Sequence, residues 1–229
     1  MLAWATFAPS ASAGVVGHLS VGICGGGDVI VSATLINWEI GSPSACLQVG
    51  GGTHLNSVGD GTLIGSSPAG LINDLPATNT PPDGGIFGFM RFSPSAGLNM
   101  YFDLTGVGGF GPGSGVSCSL GNPGVNNSCS IPGSAFLLTQ TDTGTSVTLL
   151  AHGTILDSGD GTTGPWSGAF TTQINGQSPL AIYDTISTGG SISSTFSGEF
   201  DAGVPEPVSM VLIGGGLLAL AVIKRRKRV

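Results

Sequence analysis

From Gly14 to Gly203 no stretch sustains the 3.6-residue apolar period of an amphipathic helix; what recurs is alternation at every second residue. In Asp28–Ile40 one face carries Val29, Val31, Ala33 and Leu35. Leu98, Met100, Phe102 and Leu104 share another. Val147, Leu149, Ala151, Gly153 and Ile155 form a third, Trp166, Gly168, Phe170 and Thr172 a fourth, and Ile192, Ser194, Phe196, Gly198 and Phe200 a fifth. Thr62–Ile64, Ile86–Phe92, Ala135–Thr139 and Leu180–Ile186 read as further strands. Clusters of Gly, Pro, Asn and Asp separate these segments. Gly159-Asp160-Gly161 and Asn175-Gly176 are tight-turn signals, predicting a meander of strands around Val147–Leu156, Trp166–Ile174 and Leu180–Ile186. The expected fold is all-β, an antiparallel β-sandwich or jelly roll. Between Gly106 and Pro132 periodicity vanishes, which predicts a long loop.

The 41 glycines and a charged fraction of 8% would suit disorder, but an apolar fraction of 40% and a positive mean hydropathy do not. Charge is divided sharply. Five of the six basic residues are Lys224, Arg225, Arg226, Lys227 and Arg228; ahead of them stands only Arg91, among thirteen acids. A body with one cation cannot neutralise a run of phosphates, so no nucleic-acid partner is expected. Cys24, Cys46, Cys118 and Cys129 are even in number and lack any C-x-x-C spacing, which favours disulfides over zinc. Four cysteines allow three connectivities; the local pairs Cys24–Cys46 and Cys118–Cys129 are the expected ones, the second pinning the long loop.

The two ends carry export signals. Ala11-Ser12-Ala13 is a small-x-small cleavage pattern after a short apolar stretch, so residues 1–13 read as a signal peptide, without a positive n-region. At the other end Val204-Pro205-Glu206-Pro207 precedes an uncharged run, 208–223, and then the basic residues. At 1.5 Å per residue that run spans about 24 Å, a little under the hydrocarbon core of a bilayer. A C-terminal transmembrane helix is expected there, with basic tail 224–229 cytoplasmic and body 14–203 outside. Gly214-Gly215-Gly216 weakens such a helix, which suits a segment awaiting processing.

Pro-Glu-Pro, a short apolar span and an Arg-rich terminus, in this order, resemble the PEP-CTERM sorting signal over 204–229. Regions of this kind also bear the name ice-binding protein C-terminal domain, which describes some carriers of the tail. The resemblance implies recognition at the inner membrane by an exosortase, a membrane transpeptidase that would cut near Pro205-Glu206-Pro207. The body would then pass to the cell surface or extracellular matrix, where exopolysaccharide is a prospective partner. The body is similar to β-rich ectodomains found ahead of such tails, in Cys24 through Asn37-Trp38 to Cys46 and in Phe136–Phe200, with Thr143–Thr148 and Trp166–Gln173 the recognisable pieces. Those ectodomains have no settled activity to carry over.

Catalytic patterns are weak. Gly106-Val-Gly-Gly-Phe-Gly111 matches a dinucleotide fingerprint, but Pro112, Gly113 and Gly115 follow where a helix must begin. No G-x-S-x-G turn accompanies His18, His54 and His152, and His152 falls on the face opposite Val147 and Ala151. Glu39 and Glu199, or Asp103 and Asp157, are the carboxylates available to a glycosidase, with Trp38 and Trp166 as a sugar-stacking platform. Asp60, Asp157 and Asp160 sit in Gly-rich loops open to calcium, without the EF-hand spacing. Threonines alternate over Thr139–Thr145, as on ice-binding faces, although Asp142-Thr143-Gly144 reads as a hairpin turn. The expectation is a non-enzymatic, exported surface or matrix protein needing no cofactor. A carbohydrate-binding module is the alternative, and an ice adhesin or glycosidase a weaker one.

Overall fold

The computed structural model describes residues 14–24, 28–38, 44–50, 53–57, 61–64, 69–75, 85–95, 98–108 and 116–203. The chain runs through β1 (Val15–Ile23), β2 (Val29–Val31), β3 (Ile36–Asn37), β4 (Ser44–Val49), β5 (His54–Ser57), β6 (Gly61–Ile64), β7 (Ala69–Asn73), β8 (Ile86–Ser95) and β9 (Leu98–Val107). It continues through β10 (Val116–Ser117), a 3-10 turn at Cys118–Leu120, β11 (Ser128–Ser130), β12 (Phe136–Gln140), β13 (Gly144–Asp157) and β14 (Thr163–Asn175). Helix α1 (Pro179–Ser187), β15 (Ile192–Ser194) and β16 (Ser197–Ala202) complete it.

Eight strands close into an antiparallel barrel in the order β13, β14, β16, β1, β4, β7, β8, β9, with β9 returning to β13. The expected sandwich or jelly roll is therefore wrong, and the reason lies in β13. Its first part, Thr145–Leu149, pairs with β12 and its second, Ala151–Asp157, with β9, while β14 runs along its whole length. A sandwich would leave β9 and β13 in separate sheets. Here the register shift at His152/Gly153 lets one long strand serve both the ring and a side sheet of β12, β11 and β10. The expected C-terminal transmembrane helix has no counterpart: among the described residues no helix is long and apolar enough to cross a membrane, and 208–223 lies outside them.

An eight-stranded barrel has an interior just wide enough for side chains to fill. Leu19, Leu47, Ile72, Phe92, Phe102, Ile155, Trp166 and Phe200 are buried there. The alternation predicted for β9, β13 and β14 holds, with Met100, Phe102 and Leu104 buried on one strand and Val147 to Ile155 and Trp166 to Phe170 on the others. Glycines make room for these rings: a Cβ at Gly168 or Gly198 would collide with Phe200. One end of the barrel is plugged by Trp38, whose ring packs at 4.7 Å from Phe170 and 4.8 Å from Phe196.

Beyond that plug lies a second apolar compartment. The inward faces of β12, β13 and β14 continue past the ring and are covered by α1 and a small sheet ordered β15, β2, β3. Asp28–Ile40, expected as one strand, is instead the hairpin of β2 and β3. Ser32 makes its turn, accepting the Leu35 amide at 3.1 Å, and leaves Leu35 exposed. Leu180–Ile186, expected as the third strand of a meander, is helical. Ser178 caps it by accepting the Ala181 amide, Pro179 starts it, and Ile182 and Ile186 are buried together. A spacing of four fits a helix face as well as a strand face, so alternation alone misled. The long loop also holds structure, since Val116–Ser117 pairs in parallel with Cys129–Ser130.

Phe170 touches the aromatic rings of Trp38, Phe89, Phe196 and Phe200 and so joins the two compartments. Phe170→Ala is expected to lower the unfolding free energy by about 3–5 kcal/mol in urea titration, against under about 0.5 kcal/mol for exposed Ser167→Ala.

Candidate functional site

Both disulfides form with the expected connectivity, Cys24 to Cys46 and Cys118 to Cys129. Cys24 follows β1 directly and its amide donates to the Cys46 carbonyl at 3.2 Å, so the first bridge clasps neighbouring strands. The second ties the 3-10 turn to β11, with both sulfur-bearing residues fully buried. The sorting motif Val204, Pro205, Glu206 and Pro207, the basic residues Lys224, Arg225, Arg226, Lys227 and Arg228, and residues 1–13 lie outside the described residues, as do Glu39 and Asp60.

The remaining candidates do not converge. Trp38 and Trp166 are each 2% exposed, so neither offers a face to a sugar. Trp166 instead donates its indole N–H to the Asp103 carbonyl at 3.0 Å. Glu199 points outward from β16, next to the exposed contact of His18 Nδ1 with Asp201 Oδ1 at 3.0 Å. Asp157 is buried in the turn it builds: its Oδ1 accepts the Gly159 amide and its carbonyl the Gly161 amide. Asp160 accepts the Thr162 amide at 2.7 Å. One carboxylate oxygen of each is engaged by the Asp-Gly turn, and among the described residues no three His, Cys, Asp or Glu groups could hold a metal ion. The threonine row is broken, because Thr145 is buried and donates to the Gln177 carbonyl, while Asp142–Gly144 forms the hairpin. His152 is exposed, on the face opposite Val147 and Ala151 as expected.

Cavities are small. The cleft inside the second compartment, among Val31, Phe136, Val147, Ile174, Ile182 and Ile192, measures about 20 Å³, enough for one water-sized sphere. A groove at its mouth, beside Ser32, Ser134, Tyr183 and Ser187, reaches about 210 Å³, short of the roughly 300–1,000 Å³ of small-molecule pockets.

The barrel's exterior is more distinctive. In β8 the residues Phe87, Gly88 and Phe89 stand opposite the single residue Asp103 of β9, between the pairs Ile86–Leu104 and Met90–Phe102. This wide bulge is clamped from two sides. The Asp103 carboxylate accepts the Gly88 amide at 2.7 Å, and the Asn73 side-chain amide donates to the Gly88 carbonyl at 2.8 Å. Gly88 has φ +59°, a left-handed conformation that glycine adopts without strain. The bulge turns Phe89 inward, fully buried, and Phe87 outward, 67% exposed. Phe87 stacks on Tyr101 with centroids 5.3 Å apart and planes 26° from parallel. Tyr101 pairs across the sheet with Arg91, and Arg91 with Leu71, so all three share the outer face. Arg91 is exposed, and among the described residues no carboxylate forms an ion pair with it.

Of the residues read from sequence as candidates, Asp103 alone among the described ones reaches this face, where it holds the bulge rather than meeting a second carboxylate. Ile86–Phe92 was legible as a strand and Arg91 as the lone body cation, but strict alternation puts Phe87, Phe89 and Arg91 on one side. The signal was Gly88 between two phenylalanines, where a bulge separates them. No protein-family model, curated protein or solved structure matches the chain.

The loops closed by the two bridges span separations of 22 and 11 residues. Chain entropy at these lengths is worth about 3 kcal/mol each. Replacing Cys118 and Cys129 together by Ala is expected to lower stability by about that amount in urea titration, with the barrel's far-UV circular dichroism retained.

Proposed function

We propose that this chain is an exported protein delivered to the cell surface or extracellular matrix, cut by an exosortase near Pro205-Glu206-Pro207, and that its β-barrel body is non-enzymatic. The observation that carries this reading is the ordered arrangement of Val204-Pro-Glu-Pro207, an uncharged run and five consecutive cations. The two disulfides support it, since such bonds persist in oxidising, extracytoplasmic compartments. The described carboxylates Asp103 and Asp157 each accept a backbone amide within the fold, which supports a binding or structural body.

The test is expression of the chain with and without Met210–Val229 in a host that contains an exosortase. The full chain is expected to yield a shortened, released product, and the truncated chain is expected to escape that processing. Identical product size and equal release of both would overturn the proposal.

A further inference from the structure

We propose that the outer barrel face around Phe87, Tyr101 and Arg91 is a binding platform for a polysaccharide bearing carboxylate groups, a uronate-containing chain. The inference rests on the matrix reading above and names the partner that such a protein would hold.

Three independent features of this face point to that chemistry. First, the fold presents an aromatic ring to water where strand alternation would not. The bulge at Phe87–Phe89, held by the Asp103 carboxylate and the Asn73 amide, exposes Phe87 and stacks it on Tyr101. Bulges of this kind re-aim side chains beside functional sites. A pair of stacked rings offers the flat apolar surface on which the C–H face of a pyranose rests.

Second, the body's one cation lies in the same patch. Arg91 stands beside Tyr101 in the cross-strand row that continues to Leu71. Its guanidinium presents a planar fork of donors that matches a carboxylate bidentately, and no carboxylate among the described residues occupies it. The described acids on or just past these strands have other partners: the Asp103 carboxylate accepts the Gly88 amide on this same face, and Asp74, just past β7, accepts the Trp38 amide. Around the rings lie polar groups suited to sugar hydroxyls, with Ser93 and Asn99 hydrogen-bonded to each other at 2.6 Å on the exposed side.

Third, the described residues of this face suit an extended chain better than other occupants. The two cavities described above lie at Ser32–Tyr183 and inside the second compartment, away from these residues. A stable protein partner covers about 800 Å² per side around an apolar centre. Among the described residues Phe87 and Leu71 are the large apolar side chains exposed here, too few for such a centre. An anionic bilayer is drawn by clusters of cations, and one Arg on a strongly acidic body is not a cluster. An extended chain with one carboxylate per few sugars needs a single guanidinium and a flat aromatic surface.

Affinity electrophoresis of the full chain in non-ionic detergent provides the test, using native gels cast with a sparsely charged uronate polysaccharide (deacylated gellan, one uronate per repeat) or with dextran, and mobilities taken relative to a blank gel. The gellan gel is expected to retard the chain and the dextran gel to leave it unchanged. Arg91→Gln and Phe87→Ala are each expected to weaken the apparent affinity about 10-fold, the loss of one charge-assisted or stacked contact, while Ser167→Ala matches the unchanged chain. Both altered residues are exposed, and far-UV circular dichroism with intact disulfides by mass verifies folding. Absence of retardation, or retardation that survives both substitutions, would overturn the proposal. Equal retardation by dextran would overturn the role of the carboxylate. A concentration-dependent dimer lost in Phe87→Ala, with no retardation, would make the face a protein interface instead. The gel uses purified chain, so failure of exosortase processing in cells leaves its result untouched, and failure here leaves the sorting result untouched.

Discussion

The pairing of β13 with β9 is the contact on which the rest of the architecture depends. Residues Ala151–Asp157 hydrogen-bond to β9 on one side and to β14 on the other, and this turns an open antiparallel sheet into a ring. Without it the sheet would end in two long edges, at β9 and along the second half of β13, each with unpaired amides and carbonyls. The ring also fixes the interior volume that Phe92, Phe102, Trp166 and Phe200 fill in edge-to-face contacts. The first half of β13 escapes the ring and, with β12, carries the second compartment and its stapled loop.

Asp103 connects this closure to the outer face. Its carbonyl accepts the Trp166 indole N–H from inside, passing the place where Gly153 has no side chain; a Cβ there would collide with that carbonyl. Its carboxylate, on the other side of the strand, holds the Gly88 amide and with it the bulge that exposes Phe87. One residue therefore bridges a core aromatic and a surface aromatic, between register shifts in both neighbouring strands. The carboxylate that sequence offered to a glycosidase has a positioning role instead.

Much of the barrel was legible because alternation is a local signal. Met100, Phe102 and Leu104, or Trp166 to Phe170, must share a face in any strand, and burial then selects the interior. Closure was not legible, since whether β9 and β13 meet is decided by a contact between residues about fifty positions apart. The small or polar members Gly17, His18, Ser20 and Gly22 hid β1, which holds the barrel between β4 and β16. The helix at Pro179–Ser187 was hidden in a different way: Ile182 and Ile186 satisfy both periods, and the capping pair Ser178-Pro179 carried the deciding information. At the surface, the two tryptophans drew attention for their ring size, yet size is also why the core took them. Phe87 stayed outside because Gly88 broke the alternation.

Residue-resolved amide hydrogen exchange tests ring closure most directly. Closed pairing predicts that Tyr101–Leu104 and Gly153–Leu156 exchange only by global unfolding, as slowly as the interior of β14. Rapid exchange at alternate residues of both segments, the pattern of two free sheet edges, would contradict the closed barrel and remove the frame that positions Asp103 and Phe87.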